Sequence, residues 1–412
     1  MIIAALCFAI VANATTYSAE NCQGSLGPYP AKVALISHPD SLTPIFMNHL
    51  GRHGSRYPAS AYSATTMRKA LLKADSLKTI TPLGRKFLKV INRVIALSGG
   101  QWGQLDSLGM AEHRAIADRA VKNFPCLFNG GNILAASTKS PRAIMSMYSF
   151  THELSLKSKD ITIGTLTGKD LNETLMPFDV NDDYKAYAKE KPWKSTYDHY
   201  VDSVAPNTMT RLLGSRYPAS ESELRQLSII EYYNFANMKA MGMTNCYAPY
   251  MTLDEFNRLW SCFNLRQYYQ HTQSATSTIA SDIAAPLLEE IVEWTDLAAN
   301  GRAKATAVLR FAHAETVMPL VSLMRLPHCY YTGTDVNHLQ QVWKDFEIVP
   351  MAANVQVVLY KAPSGAKYAA VYFNEKSVAP IEGDSRTIVP WDTLRAYWLS
   401  LTAGKCKGSD AN

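Results

Sequence analysis

Three short apolar runs in this chain end abruptly in polar residues, and a helix follows each of them. Thr43 to Leu50 (TPIFMNHL) reads as a buried strand that runs straight into Gly51-Arg52-His53-Gly54. Ile133 to Ser137 is a second strand, and Ser140-Pro141 after it opens a helix carrying Arg142. Ala305 to Ala312 (ATAVLRFA) is a third, with a helix beginning at Glu315. One-faced helices fill the first interval. Thr81-Pro82 starts one along Leu83, Phe87, Ile91 and Val94, which Gly99-Gly100 stops, and another follows Gly109 through His113, Ile116, Ala120 and Phe124. Strand and helix in alternation predict an α/β fold whose helices cover a largely parallel sheet. Further on, a long helix is expected from about Ser281 to Gly301, alternating strands around Val355 to Leu359 and Ala369 to Phe373, and a closing helix from Trp391 to Leu401.

Between Thr151 and Ala275 the strand signal fades. Two capping boxes, Ser220 with Glu223 and Thr252 with Glu255, open helices there. Residues 151–275 are therefore expected to be an all-α cap inserted into a discontinuous α/β domain of residues 25–150 and 276–405. The heptapeptide GSRYPAS at Gly54 to Ser60 recurs unchanged at Gly214 to Ser220. The second copy follows Leu212-Leu213 instead of Arg52-His53 and cannot carry the same chemistry.

A chain of 412 residues that is 47% hydrophobic can bury a full core across two domains. Its net charge of +6 is spread without any block of like charges, which excludes a nucleic-acid footprint. Residues 1–14 read as an export signal, an apolar run from Ile2 to Ala12 and the cleavage pattern Ala12-Asn13-Ala14, although no basic residue precedes the run. It is shorter than a membrane helix and no later run reaches that length, so a secreted or periplasmic protein is expected. Beyond Cys7 of that leader stand Cys22, Cys126, Cys246, Cys262, Cys329 and Cys406. That even number suits disulfides in an oxidising compartment, with pairing left open. No pair or cluster has zinc-ligand spacing.

The chemistry concentrates at the three strand ends. Arg52-His53-Gly54-Ser55-Arg56-Tyr57-Pro58 sets an imidazole between two guanidinium groups on a loop that glycine lets bend. Guanidinium forks bind phosphate oxygens, and two of them hold an imidazole below its usual pKa of ~6.5, neutral and nucleophilic. Alone, that run also fits a basic surface loop with a structural histidine. His313-Ala314-Glu315 narrows the choice, because a histidine and a carboxylate at a strand's carboxyl end lie where open α/β sheets bind ligands. The helix N-terminus there adds donors for an anion. With Arg142 after the remaining strand, the three ends predict a phosphate pocket that needs no metal or other cofactor. His49 and His113 are expected in the core.

The set R-H-G-x-R-x-P, a distal arginine after Ser137-Thr138, and H-x-E resembles the histidine acid phosphatase superfamily. The segment His313 to Leu320 (HAETVMPL) resembles its multiple inositol polyphosphate phosphatase branch, whose motif is H-A-E where other acid phosphatases and phytases have H-D. The resemblance is strong over about Ile45 to Met147 and Val308 to Met324. It is faint in the middle, where Phe178-Asp179 is the best anchor. It implies a phosphoglycerate-mutase-like domain with an α-helical cap, acting on inositol hexakisphosphate and lower inositol polyphosphates. His53 would form a phosphohistidine, Glu315 would serve as proton donor, and Arg52, Arg56, Arg142 and His313 would hold phosphate oxygens. The implied partner is a small polyanion and the expected state a monomer. Outlying phosphates call for further cations, with Lys139, Lys185, Lys189 and Lys194 as the candidates and Lys157, Lys159, Lys169 and Lys191 nearby. One or two of these would touch ligand. A general acid or sugar phosphatase of the same fold and a non-catalytic polyanion-binding protein are the alternatives.

Overall fold

The computed structural model describes residues 16–405, so the expected leader and Cys406 lie outside the described residues. Eight strands form one sheet: β1 (Thr43–Arg52), β2 (Asn132–Ser137), β3 (Thr162–Thr167), β4 (Ala307–Ala312), β5 (Asn354–Lys361), β6 (Lys367–Phe373), β7 (Lys376–Val378) and β8 (Ile388–Pro390). Their spatial order is β3-β2-β4-β1-β5-β6-β7, with β8 paired to β6. The first four strands in that order run parallel and the rest antiparallel. β4 is buried along its whole length and β1 along most of it, as strands covered on both faces must be.

Helices of eight residues or more are α1 (Tyr62–Ser76), α2 (Pro82–Ser98), α3 (Ser107–Asn123), α4 (Pro141–Lys157), α5 (Asp182–Glu190), α6 (Lys194–Val204), α7 (Glu221–Ala236), α8 (Leu253–His271), α9 (Ala285–Ala299), α10 (Ala314–Leu323) and α11 (Trp391–Thr402). The N-caps legible in the sequence form as expected. Thr81 accepts the Gly84 N–H at 3.0 Å, and both capping boxes close. α3 and α4 cover one face of the sheet, while α9, α10 and α11 cover the other. His49 and His113 lie in the core with aromatic rings around them.

Register matters most at one edge. Arg52 stands opposite Ala312, and Ser137 opposite Phe311. The pairing continues past the strands, with the His53 N–H donating to the Ala312 carbonyl at 2.9 Å and the Thr138 N–H to the Phe311 carbonyl at 3.1 Å. The polar residues after β1, β2 and β4 therefore emerge side by side.

Four expectations need correction. Thr162–Thr167, within the stretch expected to be all-helical, is the edge strand β3; most of its residues are exposed, so no apolar alternation announced it. The helical layer also has a second source, because α1 and α2, which lie outside residues 151–275, pack together and α1 packs on α7 within that stretch. The helix expected from about Ser281 is divided into a four-residue helix, Ile279–Asp282, and α9. The disulfides expected from an even cysteine count are not formed among the described residues. Cys22, Cys126, Cys246, Cys262 and Cys329 are free. Cys22, Cys262 and Cys329 are buried as small apolar groups, whereas Cys126 is exposed.

One cap carboxyl carries a testable consequence. Glu231 on α7 is fully buried, accepts a hydrogen bond from the Thr208 hydroxyl through Oε2, and has no partner at Oε1 among the described residues. Burial raises it from 4.5 to about 8. The folded chain keeps a proton there that the unfolded chain releases, so stability is present in acid and is lost as pH rises through that window. Glu231→Gln is expected to leave the melting temperature unchanged below the ordinary glutamate pKa and to raise it above pH 8, which thermal melts at both ends would check.

Candidate active site

The loop after β1 carries His53 with Arg52 before it and Arg56 behind it, all three buried. The His53 Nδ1 lies 3.0 Å from the Gly54 carbonyl oxygen. A carbonyl can only accept, so Nδ1 carries the proton and Nε2 keeps its lone pair. That is the tautomer a nitrogen nucleophile needs. The ring faces His313, with centroids 5.6 Å apart.

The loop reaches this position because α3 approaches it with glycine on both sides. A Cβ on Gly54 would fall 2.5 Å from the Gly109 carbonyl oxygen, and one on Gly109 would fall 2.2 Å from the Ser55 carbonyl oxygen. Neither glycine has room for a side chain. The repeated heptapeptide makes the contrast: Arg56 is buried, while Arg216, its counterpart in the second copy, is exposed.

The arginines find neutral partners. Arg52 Nη1 donates to the carbonyl of Ser25 at 2.6 Å and to that of Val349. Arg56 Nη1 donates to the Tyr57 carbonyl at 2.9 Å, and Arg142 Nη2 to His313 Nδ1 at 3.3 Å. The Nε–H of each arginine is buried without a partner among the described residues, three donors left for an anion. Since Arg142 can only donate, His313 holds its proton on Nε2 and gives it to the Thr138 hydroxyl at 3.0 Å.

Electrostatics follow from this crowding. Burial first, then Arg52, Arg56, Arg142 and His313, hold His53 well below the usual imidazole range, so it stays neutral in acid. Burial lowers Arg52 to about 10 and Arg56 to about 9, and both remain cationic at any working pH. Burial alone would raise Glu315. His271, His313 and Arg52 outweigh it and hold the carboxyl below its ordinary range.

Above these residues lies a cavity of about 670 Å³ between the sheet's carboxyl edge and the cap, lined by Arg56 and Glu315 on the sheet side. The cap side presents Tyr184, Tyr187, Trp193, Arg266 and His271. Sequence reasoning missed the last two. His271 is the final residue of α8, and burial lowers it to about 4. Arg266 donates to the Tyr233 hydroxyl at 3.3 Å. Position on α8 was the only signal, since Arg266, Gln267, Gln270 and His271 lie at spacings that share a helix face.

All six residues expected at the pocket are thus brought together, and none of the candidate lysines lines the cavity. Tyr184, Tyr187 and Ala188 turn toward the cavity from α5, which points Lys185 and Lys189 elsewhere. Lys185 pairs with Asp182 at 2.5 Å and Lys194 with Asp198, and Lys139 is exposed beyond β2.

The fold and site define an α/β phosphate-handling architecture with helices on both faces of its sheet, and comparison with known proteins gives it a family. The model of the histidine phosphatase superfamily (branch 2) matches residues 45–374, and the chain belongs to that superfamily. The multiple inositol polyphosphate phosphatase 1 of Homo sapiens is 23% identical over 409 residues, spanning 90% of this chain and 83% of the human protein. The Gallus gallus protein of the same name is 23% identical over 408 residues, spanning 92% and 85%. The Bifidobacterium longum multiple inositol polyphosphate phosphatase, solved in complex with inositol hexasulfate, superposes with a TM-score of 0.76 at 18% identity, over 93% of this chain and 98% of that one. The phytase from D. castellii gives 0.72 at 16% identity, over 95% and 88%. The solved structures share the fold.

The cavity lining makes a prediction about its second cation. Arg266→Ala is expected to raise KM for a substrate with several phosphates by about tenfold. Lys185→Ala and Lys189→Ala should leave it within about twofold, as solvated surface charges do. Steady-state kinetics on the three variants check this.

Proposed function

We propose that the chain is a phosphomonoesterase that hydrolyses inositol hexakisphosphate and lower inositol polyphosphates through a phosphohistidine on His53. One observation carries the reading: the bare Nε2 of His53 sits among three arginines whose Nε–H groups lack partners among the described residues, beside Glu315 at the floor of the cavity. The names of the curated relatives, and the inositol hexasulfate held by the Bifidobacterium longum protein, support the substrate class.

In the proposed sequence Nε2 attacks phosphorus and the ester P–O bond breaks, while Glu315 gives its proton to the departing alkoxide. Glu315 then takes a proton from water, whose oxygen attacks phosphorus, and the P–N bond breaks to restore neutral His53. Arg52, Arg56 and Arg142 hold the equatorial oxygens, where preorganised charge supplies most of the catalysis of phosphoryl transfer. His313 holds Arg142 and yields its N–H to the incoming phosphate. A second reading, a phosphatase of smaller monoesters, draws on the cap wall, where aromatic rings and amides outnumber cations. Export belongs to the proposal too, resting on the apolar leader and Ala12-Asn13-Ala14. It requires a mature N-terminus past residue 14, which N-terminal sequencing reads.

Phosphate release from inositol hexakisphosphate in the presence of EDTA is the direct test. The wild type is expected to be active and His53→Ala to lose about a thousandfold or more. Wild-type activity on a simple aryl phosphate alone would favour the second reading, and binding of inositol hexakisphosphate without release of phosphate would overturn both. The pH profiles have a required shape. Glu315 must be protonated to act, and the free enzyme holds it low, so kcat/KM should decline with rising pH through the acid range. In the complex, phosphates push Glu315 up again, so kcat should hold to higher pH.

A further inference from the structure

Glu112 on α3 is buried, makes no ion pair among the described residues, and lies outside the cavity, yet its carboxyl receives three hydrogen bonds. Oε2 accepts the Ser55 N–H at 2.7 Å. Oε1 accepts the Ser55 hydroxyl at 2.7 Å and the Tyr29 N–H at 2.8 Å. The Ser55 N–H belongs to the same peptide plane as the Gly54 carbonyl, and that carbonyl is the acceptor of His53 Nδ1–H. The plane is thus gripped at one end by a carboxyl and at the other by the nucleophile.

We infer that Glu112 is a positioning residue for His53, acting through the Gly54–Ser55 peptide, and this rests on the proposed role of His53 as nucleophile. A peptide group can rotate as a unit, and a rotation here would carry the carbonyl away from Nδ1. Glu112 prevents it by fixing the N–H. The Gly54 N–H, held by the Ser146 hydroxyl at 3.1 Å, and the Ser55 carbonyl, held by the Asp106 N–H at 3.0 Å, fix the planes on either side. Accepting the Ser55 N–H also polarises the peptide, which makes its carbonyl the stronger acceptor for Nδ1–H. The outcome is one tautomer and one ring orientation, with Nε2 bare, as a carboxyl behind a metal-bound histidine fixes that ring. The glycine contacts between Gly54 and Gly109 bring α3 close enough for the grip.

The test measures phosphohistidine formation by rapid quench with 4-nitrophenyl phosphate in wild type, Glu112→Gln and Ser55→Ala, and the His53 Nδ1–H proton by NMR. Glu112→Gln is expected to slow phosphorylation by about tenfold or more with KM unchanged, as loss of a supporting partner does. Its Nδ1–H resonance should shift or broaden. Ser55→Ala keeps the main-chain N–H and should stay within about threefold of wild type. Wild-type phosphorylation in Glu112→Gln, or an equal loss in Ser55→Ala, overturns the inference. Should Glu112→Gln not fold, the wild-type spectrum still decides, because a His53 proton on Nε2 overturns it. A wild type that turns over without phosphohistidine overturns the mechanism above as well, whereas a normal wild type beside an unaffected Glu112→Gln overturns the relay alone.

Discussion

Three guanidinium groups gathered around one imidazole repel each other, and burying them without a carboxylate in direct contact among the described residues is costly. The rest of the structure is arranged around that constraint. Arg310, on β4, shows the ordinary solution, pairing with Glu290 at 2.6 Å and with the Asn48 side chain at 2.9 Å. Arg52 has no such partner among the described residues and is tied instead to two carbonyls, one in the N-terminal segment and one just before β5. That N-terminal segment is itself held to the core, because Asp345 accepts the Ser25 N–H at 2.6 Å and the Trp260 indole N–H at 2.9 Å. A site for anions is thus kept electropositive by spending neutral acceptors from distant parts of the chain, so its charge stays available to a ligand.

The sheet and the catalytic constellation were legible in the sequence for a shared physical reason. Strands buried on both faces are mostly apolar, and a cluster of polar residues that ends such a strand stands out. Arg52-His53, Arg142 and His313-Ala-Glu315 all follow strands of that kind, and parallel register then delivers them to one edge. β3 escaped notice because an edge strand with exposed residues need not be apolar. The lysines misled because their charge could be counted but their direction could not. The i, i+3, i+4 geometry of α5 gives its cavity face to Tyr184, Tyr187 and Ala188. Arg266 and His271 were missed for the converse reason: their importance comes from where α8 ends, a tertiary fact with no local signature. The cysteine count failed because parity records how many thiols exist and nothing about their separation.

Proton traffic at Glu315 joins the two layers. The carboxyl stands at the first turn of α10, on the sheet, yet the strongest influence lowering it is His271 from the cap. Cap and sheet residues thus set one titration together. A phosphorylated ligand entering between them adds negative charge beside Glu315, within reach of the Arg52 guanidinium, and so moves Glu315 toward the protonated form it needs as an acid. In that arrangement the substrate helps to arm its own proton donor. A ligand with many phosphates arms it more fully than one with few, even where the cap wall of Tyr184, Tyr187 and Trp193 offers those phosphates no direct cation.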